Sequence, residues 1–511
     1  MRNDEVAATW RYHDATKHSQ QSLRRSRHVL DWSNLPLPYK IYESLPAIEL
    51  PTDVSPSAAP ALDAIAAVGE APAGERLPDL AILARLCFFA NGVTKHLRRG
   101  DREFSFRAAA CTGALFHVEI YLVCGDLPDL AAGVYHFGAH DNGLRRLRAG
   151  DFRRVLVEAS GGEPAVTAAP VVAICTSTFW RNAWKYQGRA YRHSFWDTGT
   201  ILANLLAVAA AVALPARVVL GFVDAEVNRL LDIDPEREAA IALVALGHTQ
   251  REPDASPSVP SLGVPTAPLS RYEVAYPEIQ RMHTASSLDP GSEAVTWRGA
   301  TPLRSLPSPV ESPIALRSLD GRRLPDEPVE TVIRRRGSTR RFPREPITAD
   351  QLATILDRAT RGIPADYLAS VGGSLGDAYL IVNAVEGLRT GAYVLHRERL
   401  ALEMLAEGDH REMAGHLALD QDLGADAAVN IYVLTALEPV LERFGNRGYR
   451  AAQLAAAVTA GKLYLAAYAL GLGATGLTFF DDEVTVFFSP HAAGKSVMFL
   501  LAVGQPHRRR D

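Results

Sequence analysis

The same series of short motifs occurs twice in this chain of 511 residues, and no other feature of the sequence constrains the fold as strongly. Gly133-Val134-Tyr135 is matched by Gly391-Ala392-Tyr393, and Arg189-Ala190-Tyr191-Arg192 is matched by Arg447-Gly448-Tyr449-Arg450. Each copy then continues through a segment containing Phe and Asp to an apolar run that a glycine closes. Matches that keep one order along the chain indicate an internal duplication. We therefore predict two related domains.

Composition shifts give the expected boundaries of these domains. We predict an N-terminal arm over residues 1–60, a first domain over 61–250, a Pro-rich linker over 251–328 and a second domain over 329–511. The linker contains two Pro/Ser-rich stretches that cannot build a packed core, so we expect it to be mostly extended chain. Helical and strand-like patterns alternate in both domains. Their apolar runs predict buried elements: strands at Ile120–Cys124, Val171–Cys175 and Ala239–Gly247, and a helix at Asp197–Leu214.

Charge and cysteine usage exclude several classes of protein. The net charge of −4 gives no electrostatic basis for binding nucleic acid. The apolar run Ile201–Leu214 is too short to span a bilayer, and the charged residues 1–12 do not resemble a signal peptide. The four cysteines form no CxxC pair and have no histidine at metal-ligand spacing, so we expect a reducing cytoplasm, no metal site and no disulfides.

A run of arginines, Arg334-Arg335-Arg336-Gly337-Ser338-Thr339-Arg340-Arg341-Phe342, is the sharpest local signal. Guanidinium groups bind a phosphate through paired hydrogen bonds, and a serine hydroxyl adds another donor. The residue types and their spacing therefore fit a phosphate site. A solvated basic helix end explains the charge equally well, and both interpretations stay open at this point.

The second copy resembles the nitroreductase superfamily along its whole length. Arg336, Ser338 and Arg340 match the family's Arg-x-Ser-x-Arg motif, which binds the phosphate and ribityl groups of FMN. The segment 471–476 resembles the family's later glycine-rich loop, whose backbone lies against the flavin. This resemblance implies an α+β fold, FMN as cofactor, and flavin contacts from Gly473 and Ala474.

The first copy resembles a narrower branch, the SagB-type dehydrogenases, which oxidise thiazolines and oxazolines in ribosomally made peptides to azoles. Residues 107–119, which include Cys111, Thr112 and Gly113, are similar to the branch's Pro-Ser-Gly-Gly-Ala-Leu-Tyr-Pro-x-Glu segment. Residues 185–192 are similar to its Lys-Tyr-x-x-Arg-x-Tyr motif, and residues 12–42 are similar to its N-terminal arm. The resemblance implies that Lys185 and Tyr186 are catalytic and that Cys111, Thr112 and Gly113 cover the cofactor.

Each copy departs from the family pattern in a different place. The first copy lacks Arg-x-Ser-x-Arg and has Leu214–Arg217 in place of the glycine-rich loop. The second copy has Gly445-Asn446 roughly where Lys185-Tyr186 stands. It also has Val371–Ser374 as the counterpart of Cys111–Gly113, which we call the cover segment. In the family, one subunit of a dimer supplies the arginine motif and the other supplies the cover. The resemblance therefore implies an intramolecular pseudo-dimer with one complete FMN site, in which the second domain binds phosphate and the first covers it.

The predicted reaction transfers a hydride from a substrate carbon to FMN while Lys185 or Tyr186 takes a proton from its neighbour. A base needs a pKa near the working pH, so burial or a cationic neighbour must lower the pKa of one of these side chains. Two alternatives remain: an FMN-dependent reductase or dehydrogenase of a quinone or nitro compound, and a flavin-free peptide-binding scaffold. We expect a cyclodehydratase as partner of the peptide enzyme, and either a monomeric pseudo-dimer or a homodimer.

Overall fold

The computed structural model describes residues 2–51, 55–69, 74–100, 102–298, 313–368 and 373–507. The elements before residue 250 are the following: α1 (Ala7–Ala15), α2 (Gln20–Arg25), β1 (Ala47–Glu49), α3 (Ala61–Ala66), α4 (Leu80–Asn91), β2 (Val93–Arg99), β3 (Arg102–Arg107), β4 (Val118–Cys124), β5 (Gly133–Gly138), β6 (Gly143–Ala149), α5 (Arg153–Ala159), α6 (Pro164–Thr167), β7 (Val171–Thr178), α7 (Phe179–Tyr186), α8 (Ala190–Ala211), β8 (Ala216–Val219), α9 (Asp224–Leu231) and β9 (Glu238–Leu246). The strands and the long helix expected from the apolar runs overlap β4, β7, β9 and α8.

The later elements repeat this series. They are the following: α10 (Pro277–Ala285), α11 (Gly291–Trp297), β10 (Ile314–Ala315), α12 (Val329–Arg335), β11 (Ile347–Thr348), α13 (Ala349–Thr360), β12 (Asp377–Val382), β13 (Val385–Glu386), β14 (Gly391–His396), β15 (Ala401–Glu407), α14 (Arg411–Leu417), α15 (Asp422–Asp426), β16 (Val429–Thr435), α16 (Leu437–Phe444), α17 (Arg447–Ala469), β17 (Gly473–Leu477), α18 (Asp481–Phe487) and β18 (Ser496–Gly504). Within the described ranges no helix is both long and apolar enough to cross a membrane.

Each half builds one large antiparallel sheet, and the two sheets have the same topology. Over the described residues, the first sheet has seven strands in the order β1-β6-β5-β4-β7-β9-β8, and the second has seven in the order β10-β15-β14-β12-β16-β18-β17. One large cluster of buried apolar side chains spans both halves, and a second cluster lies on the other side of the first sheet. The architecture is therefore the α+β pair of related units that the duplicated motifs predict.

The long central helices α8 and α17 pack against each other at the middle of the molecule. A Cβ on Gly199 would clash with the Ala457 backbone at 2.8 Å, and a Cβ on Gly461 would lie only 3.1 Å from the Cα of Thr200. Each helix thus contributes one glycine that allows the other backbone to approach closely. This close crossing fixes the two halves as a pseudo-dimer.

Buried ion pairs cross between the halves at the start of these helices. Arg189 and Arg192, at the start of α8, donate to the carboxylate of Asp481 in the second half at 2.9 and 2.5 Å. Arg447 and Arg450, at the start of α17, donate to Asp224 in the first half, both at 2.6 Å. The repeated Arg-x-Tyr-Arg and Phe-x-Asp motifs are therefore partners across the interface, and the neighbouring arginines lower the pKa of both carboxyls against the opposing effect of burial.

The segment between the domains contains more structure than its composition predicts. Residues 251–276 form no helix or multi-residue strand, but α10 and α11 follow, with Met282 and Trp297 buried. α10 repeats the role of α1: His283 lies 3.3 Å from the Tyr191 hydroxyl, as His13 lies 3.3 Å from the Tyr449 hydroxyl. The expectation of mostly extended linker is therefore wrong for residues 277–297, where α10 and α11 form and α10 is a second copy of the N-terminal helix α1.

One buried cation in α17 leads to a testable prediction. Lys462 is almost fully buried, its Nζ donates to the Gly362 carbonyl at 2.8 Å, and burial lowers its pKa to about 8. Between about pH 8 and pH 10 the unfolded chain binds a proton at Lys462 that the folded chain does not, so wild-type stability should rise with pH in this window. We expect Lys462→Met to raise the melting temperature near neutral pH and to lose most of this gain near pH 10, measured by calorimetry. A variant that melts lower at both pH values would contradict this account.

Candidate functional site

The arginine motif of the second half lies against the first half. Arg336 directly follows α12, and its guanidinium donates to the backbone carbonyls of Ala108 (3.1 Å) and Arg107 (3.2 Å). The Arg336 guanidinium also lies over the ring of Tyr464 on α17, with 5.6 Å between the guanidinium carbon and the ring centroid. Ala108 begins the segment that leads to Cys111. The structure therefore brings the predicted phosphate motif to the start of the predicted cover.

The motif also contacts the glycine-rich loop. The Thr339 N–H donates to the Ala474 carbonyl at 2.9 Å, and a Cβ on Gly473 would clash with the Thr339 side chain. Ser338 accepts a hydrogen bond from the Tyr464 hydroxyl at 3.0 Å. Arg340 is exposed and has no ion-pair or hydrogen-bond partner within the described part of the chain. Of the motif's polar side chains, Arg340 is thus the one most available to an anion.

Asp197 on α8 holds the cover segment in place. Its carboxylate accepts hydrogen bonds from the Thr112 N–H (2.9 Å), the Thr112 hydroxyl (2.8 Å) and the Cys111 thiol (3.1 Å), and it lies 2.8 Å from Nε2 of His117. Donor atoms of Cys111, His117 and Asp197 lie within 4.8 Å of one another, but hydrogen bonds to the carboxylate already link them. Asp197 was not predicted from the sequence as a site residue; the available signal was a carboxylate just before the apolar run of a buried helix.

The predicted catalytic pair lies at the C-terminal end of α7, next to the cover. A Cβ on Gly113 would lie 2.8 Å from the Tyr186 hydroxyl, so the tyrosine packs directly on this glycine. The Tyr186 ring meets the His193 ring edge-on at 4.7 Å. Lys185 is exposed, with its Nζ 5.2 Å from the Tyr186 ring centroid. A helix end allows both side chains to serve one site.

The pKa of Tyr186 moves in the direction opposite to that expected for a base. Burial raises it, and the nearby Asp197 and Cys111 raise it further. The phenol therefore keeps its proton at neutral pH and can donate a hydrogen bond, but it cannot be the proton acceptor. Of the predicted pair, Lys185 remains as the candidate base, and because its side chain is exposed, the burial that a lysine base requires would have to come from the bound substrate.

The backbone after this pair is strained. Gln187 has φ 51° and ψ −139°, a conformation that favours glycine, and its counterpart after α16 is Gly445 with φ 62°. This alignment makes Arg443-Phe444 the counterpart of Lys185-Tyr186. The expected match of Gly445-Asn446 to Lys185-Tyr186 is therefore shifted by two residues.

The position in the first half that corresponds to the glycine-rich loop of the second half is closed by protein. There β8 stands where the second half has the glycine-rich loop, and Val218 exchanges hydrogen bonds with the backbone of Pro364 (2.8 Å) and Asp366 (3.0 Å). The buried Asp366 carboxylate accepts from the N–H groups of Leu220 (2.9 Å) and Gly221 (2.8 Å). In the second half Gly476, the counterpart of Val218, is exposed. The two related positions thus differ: one is open and the other is filled by residues 364–366.

Val371 and Gly372, half of the segment expected opposite the cover, lie outside the described residues.

Comparison with known proteins identifies relatives over most of the chain. The Nitroreductase family model matches residues 139–248 and 333–504. A crystal structure of a nitroreductase-like protein from Anabaena variabilis superimposes with a TM-score of 0.77 and 27% identity, covering 98% of this chain and 99% of that one. The tandem arrangement is therefore present in full in a second protein.

Two curated relatives are processing proteins of peptides. The microcin B17-processing protein McbC of Escherichia coli is 26% identical over 26% of this chain and 52% of its own length. The trifolitoxin-processing protein TfxB of Rhizobium leguminosarum bv. trifolii is 30% identical over 27% of this chain and 38% of its own length. The chain thus spans about half the length of these relatives or less.

Proposed function

This chain belongs to the nitroreductase family, and from that premise we propose that it is an FMN-dependent dehydrogenase that oxidises azolines in a ribosomally made peptide to azoles. The observation that carries the proposal is the meeting of three motifs from both halves around residues 107–113. Arg336 contacts the start of this segment, and Tyr186 packs on Gly113 at its end.

The residues around the arginine motif fit the phosphate of FMN. Arg340 presents an exposed guanidinium without a partner among the described residues. Arg336 donates to three backbone carbonyls and also interacts with the Tyr464 hydroxyl, so only the remainder of its five N–H donors is available to an anion. Ser338 supplies a hydroxyl between them. We propose that Arg336, Ser338 and Arg340 would hold the phosphate, and that Gly473 and Ala474 and the segment Cys111–Gly113 would flank the flavin from opposite halves.

In this proposal the protein's residues handle the proton. The chemistry that bound FMN supplies is acceptance of a hydride from a ring carbon of the azoline. Lys185 takes the proton from the neighbouring ring atom, so that the ring loses one H₂ in total and gains a double bond. Tyr186 keeps its own proton and donates a hydrogen bond to the substrate beside Gly113. Molecular oxygen or another two-electron acceptor closes the cycle.

The open position of Lys185 and the relatives favour a peptide over a small quinone or nitro compound. Lys185 is exposed, so an extended chain can reach it from solvent. McbC and TfxB are named for the processing of peptides. A cyclodehydratase that makes the azoline is the expected partner. The direct test is incubation of the purified flavoprotein with a synthetic thiazoline peptide: a mass loss of one H₂ supports the proposal, and an unchanged peptide with rapid reduction of a quinone overturns it.

The asymmetry between the two related positions predicts the flavin content. We expect one FMN per chain, because residues 364–366 fill the position in the first half. Arg340→Ala should weaken FMN binding by roughly 10- to 100-fold, since a hydrogen bond to a charged group contributes about 1.5–3 kcal/mol. Flavin fluorescence quenching during titration measures both quantities.

The neighbouring Arg341 provides a matched control for this measurement. It is exposed like Arg340 but lies outside the Arg-x-Ser-x-Arg spacing, so Arg341→Ala should bind FMN as the wild type does. Two FMN per chain, or equal losses in both variants, would reject the asymmetric site. A protein that binds no FMN at all would revive the scaffold alternative.

A further inference from the structure

The N-terminal arm carries an exposed apolar surface beside Lys185. Val29 is 84% exposed, Trp32 is 66% exposed and Tyr272, which is hydrogen-bonded to Asp31 and Asn34, is 52% exposed. We call these three residues, together with Leu35, the arm patch. Large apolar side chains exposed together mark an interaction site more often than those scattered singly. The arm patch therefore requires an explanation beyond folding.

Hydrogen bonds fix the arm patch to the residue that precedes Lys185. The carbonyl of Trp184 lies 2.9 Å from Nε2 of His28, and the Trp184 indole N–H donates to the Asp31 carbonyl at 3.1 Å. The Trp32 and Trp184 rings meet edge-on at 5.3 Å. The Tyr272 hydroxyl donates to the Asp31 carboxylate at 2.9 Å. The surface is thus built in a defined position one residue away from the proposed base.

The charge next to the arm patch is positive. Arg24, Arg25 and Arg27 are exposed, and none has an acidic partner within the described ranges of the chain. Asp31 is the only acidic residue between Gln20 and Leu35, and its carboxylate is engaged by Ser33 and Tyr272. A ligand that matches this surface has apolar side chains for the patch and carboxylates for the arginines.

We propose that the arm patch and these arginines dock an acidic, apolar segment of the peptide substrate. The inference rests on the proposed function, because it assigns to the same site the part of the substrate that does not react. A chain docked here continues directly past Trp184 to Lys185. Binding energy from this remote segment would hold the reacting ring at the site and lower the KM of the peptide substrate.

The experiment is fluorescence anisotropy of a short labelled peptide in which glutamate and leucine alternate. We expect the wild type to bind it, and to bind the same peptide with lysine in place of glutamate at least about tenfold more weakly. Arg24→Glu/Arg25→Glu/Arg27→Glu and Trp32→Ala should each weaken binding of the glutamate peptide about tenfold or more. The losses from charge reversal should shrink at high salt, since exposed charges are screened.

Matched variants elsewhere on the surface serve as controls. Arg322→Glu/Arg399→Glu reverses two exposed charges in the second half, and Val486→Ala removes an exposed apolar side chain, so both should bind the peptide normally. Equal binding of the two peptides, or no effect of the arm variants, overturns the proposal. The proposal is also overturned if the arm patch instead pairs two copies of the chain. In that case the protein would be a dimer that Trp32→Ala dissociates, and the wild type would not bind the peptide. Because peptide binding needs neither flavin nor turnover, Lys185→Ala should bind normally even if the proposed oxidation fails.

Discussion

Lys185→Ala is expected to lower turnover of an azoline peptide by about 10²- to 10⁴-fold while the FMN content stays unchanged. The proton released from the ring needs an acceptor, and the raised pKa of Tyr186 excludes the phenol from that role. Because Lys185 is exposed, its replacement removes no buried contact, so the loss should not arise from unfolding. Single-turnover reduction of the flavin by the substrate measures the affected step.

Two further variants separate this role from general effects of charge. Lys95→Ala removes an exposed lysine from β2 of the same half and should leave the rate unchanged. Tyr186→Phe should keep part of the activity, because it removes a hydrogen bond but not the base. Activity of Lys185→Ala within a few-fold of wild type would remove the lysine from the mechanism.

Asp481→Ala is expected to reduce the free energy of unfolding by about 3–5 kcal/mol, because it leaves the buried Arg189 and Arg192 without their carboxylate. Asp224→Ala should cost a similar amount through Arg447 and Arg450. Urea unfolding of both variants measures these losses. Glu226→Ala, whose side chain is exposed beside Arg229, is the matched control and should change little.

The pH dependence of these losses provides a second check. The folded protein holds the pKa of Asp481 below its ordinary value near 4, so the ion pair stabilises the fold above that pH and loses its effect as pH falls. The difference in stability between wild type and Asp481→Ala should therefore shrink below about pH 4. A difference that stays constant into acid would mean that the carboxylate acts through packing rather than charge.

The local signals of the sequence predicted the architecture and the family. Apolar runs identified β4, β7, β9 and α8, and repeated motifs identified the duplication, because such patterns depend on residues that are near one another in the chain. The Nitroreductase model match confirms the predicted family. The roles of Lys185, Tyr186, Arg336 and Arg340 stay predictions until the variants above are measured.

Contacts between distant residues could not be predicted. Asp224 and Asp481 were visible as parts of the repeat, but no local pattern shows that each pairs with the arginines of the other copy. The helix α10, the second copy of α1, was not predicted because Pro/Ser-rich chain on both sides dominated the composition of the linker. Residues 364–366 fill the related position in the first half through a backbone bridge between Val218 and Ala365, and no sequence pattern predicts this bridge.

The ion pairs that cross between the two halves have a consequence for how the protein behaves on dilution. They join Arg189 and Arg192 to Asp481, and Arg447 and Arg450 to Asp224. In a family dimer the subunits separate when the protein concentration falls below the dissociation constant, and the shared site is then lost. Here the second half is tethered to the first, so each half meets the other at an effective concentration that the linker sets. The FMN affinity of the proposed site should therefore be the same in nanomolar and micromolar protein, because dilution does not separate the two halves.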